Sequence, residues 1–118
     1  MSAPRVLVAD TSMGNLRSVA RALGDAGADV TVTADPGLLR AAPRLVVPGQ
    51  GGFAECALAF SRGLGDAVRE HIASGRPYLG ICLGMQVLFE ASAEAPGAPG
   101  LALFAGTVER LAAAPAPD

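Results

Sequence analysis

Cys82 stands between two glycines, Gly80 two residues before it and Gly84 two after, in the run Pro77-Tyr78-Leu79-Gly80-Ile81-Cys82-Leu83-Gly84-Met85-Gln86. Residues 78–81 form a short apolar stretch of strand type, and an apolar helix starts near Leu83, so the cysteine falls at the junction. A strand that becomes a helix this abruptly brings backbones too close for side chains on either flank, which is why glycine is needed there. The turn lifts the junction side chain above the sheet edge, and the pattern is a nucleophile elbow with sulfur in place of oxygen. First-turn N–H groups and a helix's positive end favour thiolate. The N–H of Leu83 is then aimed where an oxyanion would form. The competing reading is a packing cysteine between a core strand and a core helix, since free cysteine is among the most buried residue types.

A second stretch, Pro48-Gly49-Gln50-Gly51-Gly52-Phe53, follows an apolar run and opens a helix. It lacks the G-x-G-x-x-G spacing of a dinucleotide site, and the chain has no lysine, hence no Walker lysine. Its better use is as the other wall of an oxyanion hole, with the N–H near Gln50 turned toward an intermediate held on Cys82. A glycine turn that only packs closely is the alternative. A cysteine hydrolase also needs a base, and His71 is the only histidine. It lies between Val68 and Ile72 on an apolar helix stripe facing the flank of the sheet, which predicts a histidine partly buried against the core. Cys56 is expected to be a packed thiol and Asp10 a loop-capping carboxylate, while Glu90 and Glu94 are by default solvated surface.

The elements that must position these residues alternate. Residues 5–9 are a continuous apolar run suited to a strand buried on both faces. Leu16, Val19, Ala20 and Leu23 form one helical stripe, which Gly27 closes. Residues 29–33 are a second strand, 36–42 a loop with about one helical turn, and 44–47 a third strand stopped by Pro48. A helix is expected over residues 64–74, a fourth strand leads into the elbow, and the elbow helix is expected to run to about Ala91, buried nearly all round. Residues 92–100 form a turn-rich connector, 101–104 and 107–111 short strands, and 112–118 a loose Ala/Pro tail. This order implies right-handed βαβ units, a doubly wound, mainly parallel sheet with helices on both faces, and a ligand site beyond the strands' carboxyl ends. The loops at residues 10–15 and 48–53 and the elbow should converge there.

At 118 residues, with 51% hydrophobic and 17% charged residues, the chain is one small domain or part of a larger one. A net charge of −2 gives no electrostatic ground for nucleic acid or an anionic membrane. No apolar run is long enough to span a bilayer, the first residues carry no signal-peptide pattern, and two cysteines make no disulfide framework; a cytoplasmic setting is expected. No metal or cofactor motif is present.

With these motifs assembled, the chain resembles a class I, triad-type glutamine amidotransferase, a flavodoxin-like α/β fold. Gly80-Ile81-Cys82-Leu83-Gly84-Met85-Gln86 carries that likeness. Within it, Met13-Gly14-Asn15-Leu16-Arg17-Ser18-Val19, Pro48-Gly49-x-Gly51-x-Phe53 and Glu94-Ala95-Pro96-Gly97 with Gly100-Leu101 resemble the glutaminase subunits of imidazole glycerol phosphate synthase. The resemblance runs from Val6 to about Leu111, giving an amidotransferase segment over residues 1–111 and a tail over 112–118. It implies that Cys82 attacks the side-chain amide of glutamine and that Leu83 and Gln50 supply oxyanion N–H groups. It further implies that Gly49, Gly51, Gln86 and Glu94 bind substrate, and that Asn15 meets a TIM-barrel cyclase in a heterodimer. That cyclase would use the ammonia in histidine biosynthesis, and no metal or cofactor is implied.

The chain departs from the family at Ser12, where a glycine is common, and at Gln50 and Gly52, where valine and alanine are frequent. The family's triad histidine and glutamate follow well after the elbow, so the fold is expected to be incomplete at the C-terminus, and His71 matches no triad position. The alternative is a non-catalytic remnant that binds a partner or glutamine without turnover.

Overall fold

The computed structural model describes residues 2–12 and 15–112. Four strands, β1 (Arg5–Ala9), β2 (Asp29–Thr33), β3 (Leu45–Gly49) and β4 (Tyr78–Cys82), form one parallel sheet in the order β2-β1-β3-β4. Between them run α1 (Leu16–Asp25), α2 (Pro36–Arg40), α3 (Phe53–Ala59) and α4 (Gly65–Ala73), and α5 (Leu83–Gln86) follows β4.

The alternation of β1 sets the two layers. Leu7 and Ala9 join Leu45 and Val47 in a core against Leu39, Phe53, Phe60, Val68 and Leu83, while Val6 and Val8 join Val46 beneath Leu16, Val19 and Leu23 of α1. A strand between two helix layers has no face left for polar side chains, so its sequence is apolar without interruption. Local chemistry sets the helix starts. Asn15 accepts the N–H of Ser18 at 3.2 Å and caps α1. Asp35 accepts the N–H of Gly37 at 2.9 Å and caps α2, with Pro36 in the first turn. The chain breaks between α3 and α4 at Arg62 and Gly63, the latter at φ +95°.

Three expectations need correction. Pro48 does not end the third strand, because β3 continues through it to Gly49. β1 pairs with β3 only at Leu45 and Val46, and the Pro48 carbonyl accepts from the Thr11 hydroxyl at 3.4 Å on that side. A residue's N–H points to the same side as its carbonyl in a parallel strand, so the missing proline N–H falls where no ladder remains to lose.

The elbow helix is one turn long and does not reach Ala91. Its following carbonyls are taken from outside the helix: Val87 accepts from Leu101, Leu88 from Leu103 and Phe104, and Phe89 from Ala102. Those bonds satisfy the groups an extended helix would have used, and they also hold residues 101–104 as a bent strap where a strand was expected. Met85 is about half exposed rather than enclosed. Finally, the segment expected as a strand over 107–111 is strand only at β6 (Thr107–Val108), which pairs in parallel with β5 (Ala91–Ser92) inside the expected connector. Residues 113–118 of the expected tail lie outside the described residues.

The expected convergence of loops is present. Thr11 touches Pro48, Gly49 is paired with Cys82 in register, and a Cβ built on Gly49 would lie 3.0 Å from that of Leu83. Met13 and Gly14 of the first loop lie outside the described residues. α5 sits so close to the sheet that a Cβ on Gly84 would fall 1.7 Å from the Val47 carbonyl oxygen, and one on Gly80 would fall 2.5 Å from the Gly84 oxygen. Backbone cannot yield as a flexible side chain can, so Gly84→Ala is expected to cost about 3 kcal/mol or more. A urea midpoint close to the native one would contradict this packing.

Candidate active site

Cys82 is the last residue of β4 and the residue that caps α5. Its backbone lies at φ +55°, ψ −117°, a region that costs a non-glycine residue about 1–3 kcal/mol and persists only where the surroundings impose it. Here the contacts of Gly80 with Gly84 and of Gly84 with Val47 impose it. The thiol is exposed, as an elbow nucleophile requires, so the packing-cysteine reading belongs to the other thiol. Cys56 is 1% exposed in the core of α3, and burial pushes its pKa up to about 11. α5 is a single turn, so it carries little of the aligned dipole that the sequence led one to expect beside Cys82.

Leu83 opens α5 directly after Cys82, and Gln50 is exposed immediately beyond Gly49. The N–H groups of both therefore border the same end of β3 and β4. Gly51, at φ +109°, is exposed on the same loop.

Gln86 and Glu94 line one cavity of about 460 Å³, with Ser92, Val108 and Arg110 among its walls. Cys82 does not line it, but stands about one helical turn before Gln86. Glu94 is exposed, as expected, but not without a partner: its Oε2 accepts the N–H of Phe53 at 2.5 Å, capping α3 and fastening the cavity to the end of the glycine loop. No local pattern signals a cap delivered from 41 positions away. Asn15 is exposed at the start of α1, at the same end of the sheet as the elbow but on the other face.

His71 is fully buried, further than expected, and its Nε2 lies 2.8 Å from the Pro77 carbonyl. Pro77 precedes β4, whereas Cys82 ends it, and five residues of strand separate them by roughly 16 Å. His71 thus belongs to the wrong end of the sheet to take a proton from Cys82. Asp10 accepts the N–H of Ser12 at 2.9 Å as a loop cap. Among the described residues no group of three or more His, Cys, Asp or Glu could hold a metal ion, and no helix is long and apolar enough to cross a membrane.

Residues 7–113 match the glutamine amidotransferase class-I family. The chain belongs to that family. Curated relatives include imidazole glycerol phosphate synthase subunit HisH of Deinococcus radiodurans, 50% identical over 115 residues, covering 97% of this chain and 54% of the relative. The protein of the same name from Thermus thermophilus is 48% identical, covering 97% and 58%. This class-I amidotransferase chain therefore spans a little over half the length of the curated relatives it matches. A crystal structure of a glutamine amidotransferase superposes with a TM-score of 0.72 at 24% identity, over 88% of this chain and 56% of the other, a likeness of fold.

Three outcomes follow for the amidotransferase chain. Iodoacetamide at neutral pH should modify Cys82 alone, with Cys56 protected until the chain unfolds; peptide mass spectrometry distinguishes the two thiols. Because the folded state holds the Cys56 proton more tightly than the ordinary thiol value of 9.0, that thiol's contribution to stability is intact below pH 9 and declines as pH rises towards about 11. Cys56→Ser should flatten that decline in a pH series of urea midpoints. Separately, Glu94→Ala should lower stability by about 1–2 kcal/mol through the lost cap of α3.

Proposed function

We propose that this chain carries the nucleophile of a glutaminase that supplies ammonia to a cyclase making imidazole glycerol phosphate in histidine biosynthesis. The observation that carries the reading is the exposed, strained Cys82 with Gly49 paired beside it. The names of the relatives support the choice of pathway.

In this reading the Cys82 sulfur bonds to the side-chain carbonyl carbon of glutamine. The carbonyl oxygen becomes an oxyanion held by the N–H groups of Leu83 and Gln50. The carbon–nitrogen bond then breaks, and nitrogen leaves as ammonia after gaining a proton. Water adds to the remaining thioester, releasing glutamate and restoring the thiol. Gln86 and Glu94 bind glutamine from the cavity they line, and Gly49 and Gly51 meet it from the glycine loop that Glu94 fastens to that cavity. Glu94 uses one oxygen to cap α3 and keeps the other for substrate. Asn15 and its loop face the cyclase, a TIM-barrel partner in a heterodimer, in the cytoplasm. The base that takes the thiol proton, and the acid that orients it, are groups other than His71.

The position of His71 also favours a second reading, a protein that binds glutamine or a partner without turnover. Both readings expect a chloroketone analogue of glutamine to modify Cys82 in this chain and to leave Cys82→Ser untouched. Ammonia release from glutamine by the 118 residues alone should not exceed that of buffer, even with a cyclase added. Failure of the chloroketone to react would remove the nucleophile, whereas robust ammonia release would mean that a base near Cys82 has been overlooked. Turnover restored by supplying a histidine-bearing complement in trans separates the enzyme from the binding protein.

A further inference from the structure

The first residue of β4 reaches the helix that begins at its other end. The Tyr78 hydroxyl donates to the Gly84 carbonyl at 2.7 Å, from a ring packed against the main core. In a regular helix that carbonyl would accept the N–H of Leu88, but this N–H goes to Met85 instead. α5 is too short to satisfy its own second residue, and Tyr78 makes up the deficit. Gly84 is also the residue wedged against Val47 and facing Gly80, so its peptide sets how closely α5 lies on β3 and β4.

We propose that Tyr78 is a positioning residue for the Cys82 nucleophile: its hydroxyl holds the Gly84 peptide, and through it the first turn of α5, in the orientation that aims the Leu83 N–H and imposes the strained backbone of Cys82. This rests on the reading of Cys82 as nucleophile. The hydroxyl is well suited to a permanent donor role. Burial, with Cys56 beside it, holds the Tyr78 proton far above the ordinary phenol range, so the donor is not lost to ionisation at any physiological pH. A strained turn relaxes readily when one of its constraints is removed, and small displacements from reacting geometry are expensive in rate. The ring supplies packing and the hydroxyl supplies direction, so the two roles are separable by Tyr78→Phe.

The test is the inactivation of the full chain by a chloroketone analogue of glutamine, followed as the maximal rate constant and the half-saturating concentration. Tyr78→Phe should reduce the maximal rate constant by about tenfold while leaving the half-saturating concentration and the iodoacetamide rate nearly unchanged. A hydroxyl with only a structural role would lower the melting temperature and leave that split unmoved, which overturns the proposal. If wild-type Cys82 reacts no faster than free cysteine, it is the nucleophile reading that has failed and not the positioning. Tyr78 is the only tyrosine, so ring-fluorinated tyrosine incorporated throughout the chain labels this site alone. Should Tyr78→Phe not fold, the single fluorine resonance decides: it should shift when Cys82 is alkylated, and a resonance that stays in place on complete alkylation overturns the proposal.

Discussion

Everything at this site follows from how closely α5 approaches the sheet. A helix packed on a sheet normally stands off by the thickness of its side chains, but here backbone meets backbone, with Gly84 against the Val47 carbonyl and Gly80 against the Gly84 carbonyl. At that distance the chain has no room for a gradual turn out of β4. The whole change of direction falls on Cys82, which takes a positive φ that a cysteine would not otherwise adopt. The strain and the exposed thiol are two results of one steric condition. The same condition brings the end of β3 alongside, since the strand that carries Val47 also carries Gly49. A nucleophile and a glycine loop far apart in the chain are thereby fixed side by side.

That economy explains why the elbow could be recognised from residues alone. Glycines placed two before and two after a cysteine are a local record of a global contact. The continuous apolar run of β1 and the stripe on α1 were legible for the same reason: each is local chemistry that determines local conformation. Features settled by distant partners were not legible. An apolar sequence beyond Gln86 favours more helix, and only the carbonyl partners supplied by residues 101–104 stop it. Pro48 is a strand breaker by type, yet it is harmless where β1 has already stopped pairing. Glu94 looks like solvent-facing charge until Phe53 is found within hydrogen-bond reach of it. The Tyr78 hydroxyl gave no signal, because a tyrosine at the start of a strand usually earns its place by its ring.

The two thiols show how position decides chemistry for one residue type. Cys56 and Cys82 both lie near the carboxyl end of β3, one on the buried face of α3 and one at the exposed end of β4. Desolvation keeps Cys56 protonated and makes it a small apolar group that happens to contain sulfur. Cys82 stands exposed between the end of β4 and the start of α5, where an electrophile in solvent can reach it.

The flanks of Cys82 are not equivalent, and this limits where a proton acceptor can stand. The flank toward β3 is filled by Gly49 and Leu83, in register and in contact. β4 is the outermost strand of the sheet among the described residues, so the opposite flank carries no further described strand. On the proposed reading, the oxyanion donors, the N–H groups of Leu83 and Gln50, belong to the closed side. A base placed among them would compete with substrate for the same N–H groups, whereas one on the open side meets the thiol from the direction opposite to the developing negative charge. If Cys82 is the nucleophile, the geometry of β3 and β4 thus sets one flank to charge stabilisation and leaves the other to proton transfer, whichever group performs it.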